Sequence, residues 1–414
     1  MLGAVRPLVA GLMFLPQVRS FEVASPSRIV FGRGAADQLP TIASELGGNK
    51  PLVVTGNGGG ARYSELLAKI REDSASAELD HYVVSGEPTI AMVQAGAELA
   101  AASRCDSVIG IGGGSVIDVA KAIACLLANG GEVMDYIEVV GRGKKITKPS
   151  LPCIAVPTTA GTGSEVTKNA VIKSEEAGIK ASMRSAYMLP DVAVVDPLLT
   201  LQVPRTVTAS TGLDALTQCV EPFVSNKANP FTDSLAREGM ARAARSLRRA
   251  CEDGADVAAR EDMAVASVFG GLALANAKLG AVHGFAGVLG GMFEAPHGAV
   301  CAAILPHAFR ANVEALRRDA AAGKEGASAA KESLSRHEEV AKILLGRDGA
   351  SPEDAAEWLG ALAKDLGVAP LSQYGLQQED HPKVVELSAK SSSMKGNPVV
   401  LTIEELTAVL QAAA

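Results

Sequence analysis

At 414 residues the chain is too long for one small hydrophobic core, and its length points to two or three domains. Its 48% hydrophobic and 21% charged residues describe a folded globular protein and exclude a disordered one. A net charge of −7 with 4% aromatic residues excludes the basic, stacking-rich surface that nucleic-acid binding needs.

Residues 1–20, MLGAVRPLVAGLMFLPQVRS, hold Arg6 and Arg19 and no acid around a short apolar run, Leu8 to Leu15. That run is too short to span a bilayer, so no membrane contact is expected. Two readings stand: a loose extension on a cytoplasmic protein, or an organellar transit peptide. Both place the segment outside the fold. From 21 to 203, short Val/Ile-rich runs ended by Gly, Pro or Ser recur at 50–56, 80–86, 105–114, 152–159 and 191–197. They read as strands buried on both faces. Helical periodicity over 61–73, 89–103 and 115–129 lies between them. The alternation predicts an α/β domain with a parallel sheet and a ligand crevice at the strand carboxyl ends.

From Pro204 onward the strand signals stop, and residues 204–414 are expected to form an all-helical domain. Within it, 326–336 (GASAAKESLSR) has the weakest pattern and reads as a mobile loop. The six cysteines, at 105, 125, 153, 219, 251 and 301, show no CxxC pair or regular spacing. They are expected to be reduced thiols rather than a disulfide framework.

Three glycine-rich loops follow strand candidates. In GIGGGSVIDVAK (110–121) the loop runs straight into a helix. Its glycines allow close backbone approach, and the free N–H groups of the helix start suit phosphate oxygens. A tight strand-to-helix turn is the plainer alternative. In TGNGGGARYSELL (55–67), Gly56 and Asn57 stand where dinucleotide folds often place an acid on the adenosine ribose. Without that acid a 2′-phosphate meets no repulsion, so NADP fits as well as NAD. In PTTAGTGSEVTKNAVI (157–172), Thr158, Thr159 and Thr162 offer hydroxyls at a strand end. Those hydroxyls suit a pyrophosphate, a ribose or a carboxamide, or they cap their own loop.

GLDALTQCVEPF (212–223) puts Asp214 and Gln218 four residues apart, on one face of a helix. AVHGFAGVLGGMFEAPHGAV supplies His283 and His297. An acid and two histidines in small-residue surroundings look like parts of a metal site.

Taken in order, GGGSxxDxAK, PTTAGTGSE, VDPxL, GLDAL, HGFAG and PHG resemble the iron-containing (group III) alcohol dehydrogenase family over about residues 21 to 414. Relatives of that family include glycerol dehydrogenase, maleylacetate reductase and, more remotely, dehydroquinate synthase. The resemblance implies an N-terminal Rossmann-like domain, a helical C-terminal domain and an active site in the cleft between them. It implies NAD or NADP, Fe²⁺ or Zn²⁺, a small alcohol or carbonyl substrate, and a homodimer or higher homo-oligomer. It assigns the pyrophosphate loop to Gly112, Gly113, Gly114 and Ser115, with Asp118 in the same motif. It assigns nicotinamide and ribose contacts to Thr158, Thr159 and Thr162, a ribose contact to Lys180, and metal ligands to Asp214, His283 and His297.

Two positions depart from the family. The family's fourth ligand is a histidine four residues after the aspartate, and here it is Gln218. The frequent HGxAH reads HGFAG, with Gly287 in place of a histidine thought to assist proton movement. Two accounts of Gln218 follow. Either metal is retained, with the Gln218 side-chain oxygen as a weaker ligand more tolerant of hard ions, or metal is gone. In the second account His283 and His297 are catalytic as hydrogen-bond or proton donors. Retention of Asp214, His283 and His297 favours the first. The expected reaction is NAD(P)-dependent interconversion of an alcohol and an aldehyde or ketone. The rivals are a metal-independent oxo-acid reductase and a dehydroquinate synthase-like lyase. The lyase calls for basic side chains around 214–231 and 283–298, where Lys227 is the one present.

Overall fold

The computed structural model describes residues 20–73, 79–293, 295–323 and 326–414. The N-terminal segment read as an extension therefore lies, apart from Ser20, outside the described residues. Eight strands are present among the described residues: β1 (Arg28–Phe31), β2 (Pro51–Gly56), β3 (Asp80–Val84), β4 (Ser107–Gly112), β5 (Cys153–Pro157), β6 (Asn169–Ser174), β7 (Ile179–Arg184) and β8 (Val192–Val195). Six of them form one sheet in the order β1-β8-β5-β4-β2-β3, and every pairing in it is parallel. The strands β4, β5 and β8 are buried along their whole length, which is why they are Val/Ile-rich without alternation.

The five strand candidates of the sequence are β2, β3, β4, β5 and β8. Two features were not legible there. The four-residue edge strand β1 pairs with β8 alone and keeps three of its residues exposed, so it lacks a core signature. The antiparallel hairpin of β6 and β7 buries Ala170, Ile172, Ala181 and Met183 in alternation, and leaves Val171 exposed. That period of two differs from the continuous runs of the main sheet. The hairpin packs its apolar face against the helix Gly114–Asn129, together with Val119 and Ile123.

Two charged side chains on that helix tie it to the segment before the hairpin. Lys121, 1% exposed, donates to the Ser164 carbonyl at 2.9 Å and the Thr167 hydroxyl at 3.1 Å. It also pairs with Asp118 at 3.0 Å. Asp118 accepts from the Ser164 hydroxyl and from the Val171 N–H at 2.8 Å. A buried ammonium and carboxylate are tolerated because each finds several partners.

Beyond Pro204 the described chain is helical, beginning with Arg205–Val224 and ending with Ile403–Ala413. The expected loop at 326–336 is instead part of the helix Ala327–Leu345. Ala, Lys, Glu and Leu favour helix locally. The buried Ala330, His337, Val340, Ala341 and Leu344 recur at helical spacing and anchor it to the core. All six cysteines are free and buried. No single helix among the described residues is long and apolar enough to cross a membrane.

Glu165 is 1% exposed, and its Oε1 has no partner. Burial pushes its carboxyl up to about 7, against the pull of Lys121. Because its folded-state pKa lies above the ordinary value, its contribution to stability is complete at acid pH and is lost as pH rises through about 7. Glu165→Gln cannot ionise. Its stability relative to the natural protein should therefore improve by about 3 kcal/mol from about pH 4 to about pH 8, read from denaturant unfolding at both pH values.

Candidate active site

Strand β4 ends at Gly112 and the helix Gly114–Asn129 starts almost at once, with Gly113 as its cap and no side chain there to satisfy the first N–H groups. Such a start is an anion cradle. The glycines in it do different work. A Cβ at Gly112 would lie 2.5 Å from Val116, and one at Gly114 would lie 2.7 Å from Thr162. Packing alone therefore demands glycine at both. At Gly113 a Cβ would meet the Thr159 hydroxyl at 3.4 Å, an ordinary contact.

The threonine loop lies against this turn. The Thr158 N–H donates to the Gly112 carbonyl at 2.9 Å, and the side chains of Thr159 and Thr162 stand beside Gly113 and Gly114. Fold thus brings Gly112, Gly113, Gly114 and Ser115 together with Thr158, Thr159 and Thr162. Gly56 ends the neighbouring β2, where Thr55 is level with Ile111. Asn57 donates to the Ser85 hydroxyl at 2.9 Å. Lys180, on the hairpin, pairs with Glu87 at 3.0 Å and lies near Gly290 of the helix Ala281–Met292. Asp118 differs from the rest of the proposed cofactor set. Both its oxygens are committed to protein groups, so its part is to hold the loop in place.

The polar cluster is built by three helices. Arg205–Val224 presents Asp214 and Gln218 one turn apart, Ala281–Met292 presents His283 in its first turn, and His297–Ala321 begins with His297. His283 Nε2 lies 3.5 Å from Asp214 Oδ1, and His297 Nε2 lies 3.8 Å from the same oxygen. His297 keeps 35% of its side chain exposed, whereas Asp214 is 1% and Gln218 2% exposed.

Glu221 sets the direction of His283. Its carboxylate accepts from His283 Nδ1 at 2.7 Å and from the Val282 N–H at 2.7 Å. A proton on Nδ1 leaves the Nε2 lone pair turned toward Asp214, which is the tautomer a metal ligand needs. Sequence reading passed over Glu221, although it lies three residues beyond Gln218 on the same helix. Burial works against a charge on Asp214, yet His297 and His283 hold its carboxyl below the ordinary range. Burial likewise opposes charge on His297, and Cys301 and Asp214 outweigh it, raising the imidazole to about 8.

Asp214 Oδ1 and Gln218 Oε1 are buried acceptors without a hydrogen-bond partner. Buried acceptors left without a hydrogen-bond partner in a cluster of an acid and two imidazoles are costly unless a cation joins them, so the cluster fits a divalent metal. Cys301 completes the group. Ligand atoms of Asp214, His283, His297 and Cys301 all lie within 4.8 Å of one another. Sequence reading missed this cysteine, although it stands four residues after His297 and thus on the same helix face. A Cβ at Gly287 would meet nothing within 4 Å, so the second family departure leaves open space one turn past His283.

The fold thus sets a parallel sheet with an uncapped helix start after β4 against helices that hold an Asp/His/His cluster. Residues 26–197 match the iron-containing alcohol dehydrogenase profile, and 208–414 match the C-terminal part of the Fe-containing alcohol dehydrogenase family. Alcohol dehydrogenase 4 of Schizosaccharomyces pombe is 34% identical over 391 residues, covering 94% of this chain and 88% of the relative. The 1,3-propanediol dehydrogenase of Citrobacter freundii is 34% identical over 389 residues, covering 92% and 95%. The crystal structure of sulfoacetaldehyde reductase from Bifidobacterium kashiwanohense in complex with NAD⁺ superposes with a TM-score of 0.82 at 30% identity, covering 96% and 99%. The chain belongs to the iron-containing alcohol dehydrogenase family.

Gly113→Ala should separate binding from folding. The fold has room for the methyl group, whereas a pyrophosphate pressed on that backbone does not, so NAD(P)H affinity should fall about tenfold or more. Titration of cofactor fluorescence, alongside an unchanged thermal midpoint, checks it. Glu221→Gln should weaken metal binding by about 10–100-fold, because the amide no longer favours the Nδ1–H tautomer of His283. Competition against a chromophoric chelator measures that loss.

Proposed function

We infer that the protein is an NAD(P)-dependent oxidoreductase that interconverts an alcohol and an aldehyde or ketone with the help of a divalent metal. One observation carries this reading: the threonine loop and the polar cluster share a wall. A Cβ on Gly161 would lie 2.6 Å from Thr211, three residues before Asp214 on the same helix. A nicotinamide held at Thr158–Thr162 would lie close to the helix that carries Asp214. In this reading 21–203 binds the cofactor and 204–414 binds the substrate oxygen.

Asp214 Oδ1, His283 Nε2 and His297 Nε2 would hold the metal. When bound, such an ion supplies Lewis-acid polarisation of the substrate C–O bond. Glu221 keeps His283 in its ligating tautomer, and buried Asp214 supplies the negative charge. His297, partly exposed, is the one of the three most open to solvent. The named relatives act on different alcohols and aldehydes, so the substrate is chosen by this chain's own cleft side chains.

Gly56 and Asn57 support use of NADP as well as NAD, since neither repels a 2′-phosphate. The edge strand β1, with Ile29 37% and Phe31 42% exposed, supports a homodimer or higher homo-oligomer that covers it. Six buried free thiols support work in the reducing cytoplasm.

The deciding experiment is reduction of a panel of aldehydes, ketones and oxo-acids with NADH and with NADPH, before and after exhaustive chelation. Turnover with both cofactors is expected, lost on chelation and restored by a divalent ion. His283→Ala should lose metal and activity together. Full activity of the chelated protein would defeat the metal-assisted reading, and strong rejection of NADPH would defeat the cofactor reading.

A further inference from the structure

The two imidazoles stand from the Asp214 carboxylate at separations that are too long for hydrogen bonds and suited to a shared ion. The two carboxylate–imidazole distances, 3.5 and 3.8 Å, exceed the usual 2.7–3.2 Å of an N–H···O bond. Cys301 Sγ lies 3.7 Å from His297 Nε2 and 4.0 Å from His283 Nε2, and one thiol proton cannot serve both. A tetrahedral zinc with bonds of about 2.0–2.1 Å to nitrogen and oxygen and about 2.3 Å to sulfur has donor–donor edges of about 3.4 Å for O/N pairs and about 3.6 Å for S/N pairs. Each of the four measured separations lies within roughly 0.4 Å of those edges.

We propose that the Cys301 thiolate, not Gln218, is the fourth protein ligand, so that Asp214, His283, His297 and Cys301 form a zinc site. The proposal rests on the reading that a divalent ion sits in this cluster. It links two features of the chain that otherwise stand apart: a neutral amide at 218 and a thiol one helical turn past His297. A thiolate is a strong, soft, anionic donor, whereas an amide oxygen is neutral and hard. Binding releases the Cys301 proton to solvent, and the two anionic ligands balance the charge of the ion. Thiolate and imidazole donors favour Zn²⁺ over the harder alternatives that Gln218 would admit, and a substrate oxygen would join the ion as an additional ligand. Gln218 Oε1 stays buried and unpartnered.

The test uses full-length protein loaded with Co²⁺, with a readout independent of turnover. A thiolate-to-cobalt charge-transfer band in the near ultraviolet is expected in the natural protein and in Gln218→Ala, and should be lost in Cys301→Ser. In parallel, Cys301→Ser should lower Zn²⁺ affinity by at least the roughly 10–100-fold that loss of an outer partner costs, and Gln218→Ala should lower it less. Bound Co²⁺ without the band, or a larger loss of affinity from Gln218→Ala, overturns the proposal while leaving the metal reading intact. Failure of the protein to bind Co²⁺ or Zn²⁺ at all overturns both. If Cys301→Ser does not fold, the natural protein's band decides alone, because Cys301 is the one cysteine in the cluster.

Discussion

Everything in the cleft depends on how closely one loop approaches two helices. Gly163 adopts φ 59°, and a Cβ there would lie 2.5 Å from Gly271 and 2.8 Å from the Ser267 carbonyl of the helix Val257–Asn276. The facing Gly271 would meet the Gly163 carbonyl at 2.6 Å, so both partners are bare. Gly161 does the same against Thr211, and Gly298 against the Ser210 carbonyl. These contacts bring backbone to backbone. A side chain at Gly161, Gly163 or Gly271 would push the loop away from the helices by about the width of a methyl group, and hydride transfer does not tolerate a misplacement on that scale. The small residues of PTTAGTGSE and PHG thus serve the close packing of loop and helices.

Polar groups in this protein are sorted by what satisfies them. Asp118 and Lys121 are buried, but each is saturated by the 164–171 segment, and their work is to anchor the loop. Glu221 is saturated by His283 and Val282, and its work is to aim an imidazole. Asp214 Oδ1 and Gln218 Oε1 are buried without partners, at the point where three helices converge. A fold bears such a cost when a ligand later removes it. The contrast between satisfied and unsatisfied buried groups separates scaffold from site more sharply than burial alone.

The motif at 110–121 shows how little a glycine run says by itself. Gly112 and Gly114 are explained by Val116 and Thr162, as any tight strand-to-helix turn would require. Gly113 alone is bare without a packing cause. The plain reading of the loop therefore accounts for Gly112 and Gly114, and the phosphate-binding reading is left to rest on Gly113.

Much of this was legible in the chain. Strands buried on both faces announce themselves as continuous Val/Ile runs, and β2, β4, β5 and β8 were readable for that reason, whereas β3, which was expected to be buried likewise, is an edge strand that fully buries Val84 and leaves Val83 exposed. Asp214, His283 and His297 were readable through the motifs around them. The edge strand β1 was silent because its residues are mostly exposed, and the helix Ala327–Leu345 was underrated because its anchoring residues are spread among Ser, Lys and Glu. That Cys301 and Glu221 stand beside these residues was not legible, since neither carries a motif. The fourth-ligand question posed by Gln218 could not be settled along the chain, because its candidates lie on different helices. Propensity, periodicity and local spacing are properties of neighbouring residues and are written in order. Which donors share one point in space depends on where the Arg205–Val224, Ala281–Met292 and His297–Ala321 helices come to rest against each other. That is decided by packing among residues far apart in the chain, and only the tertiary structure expresses it.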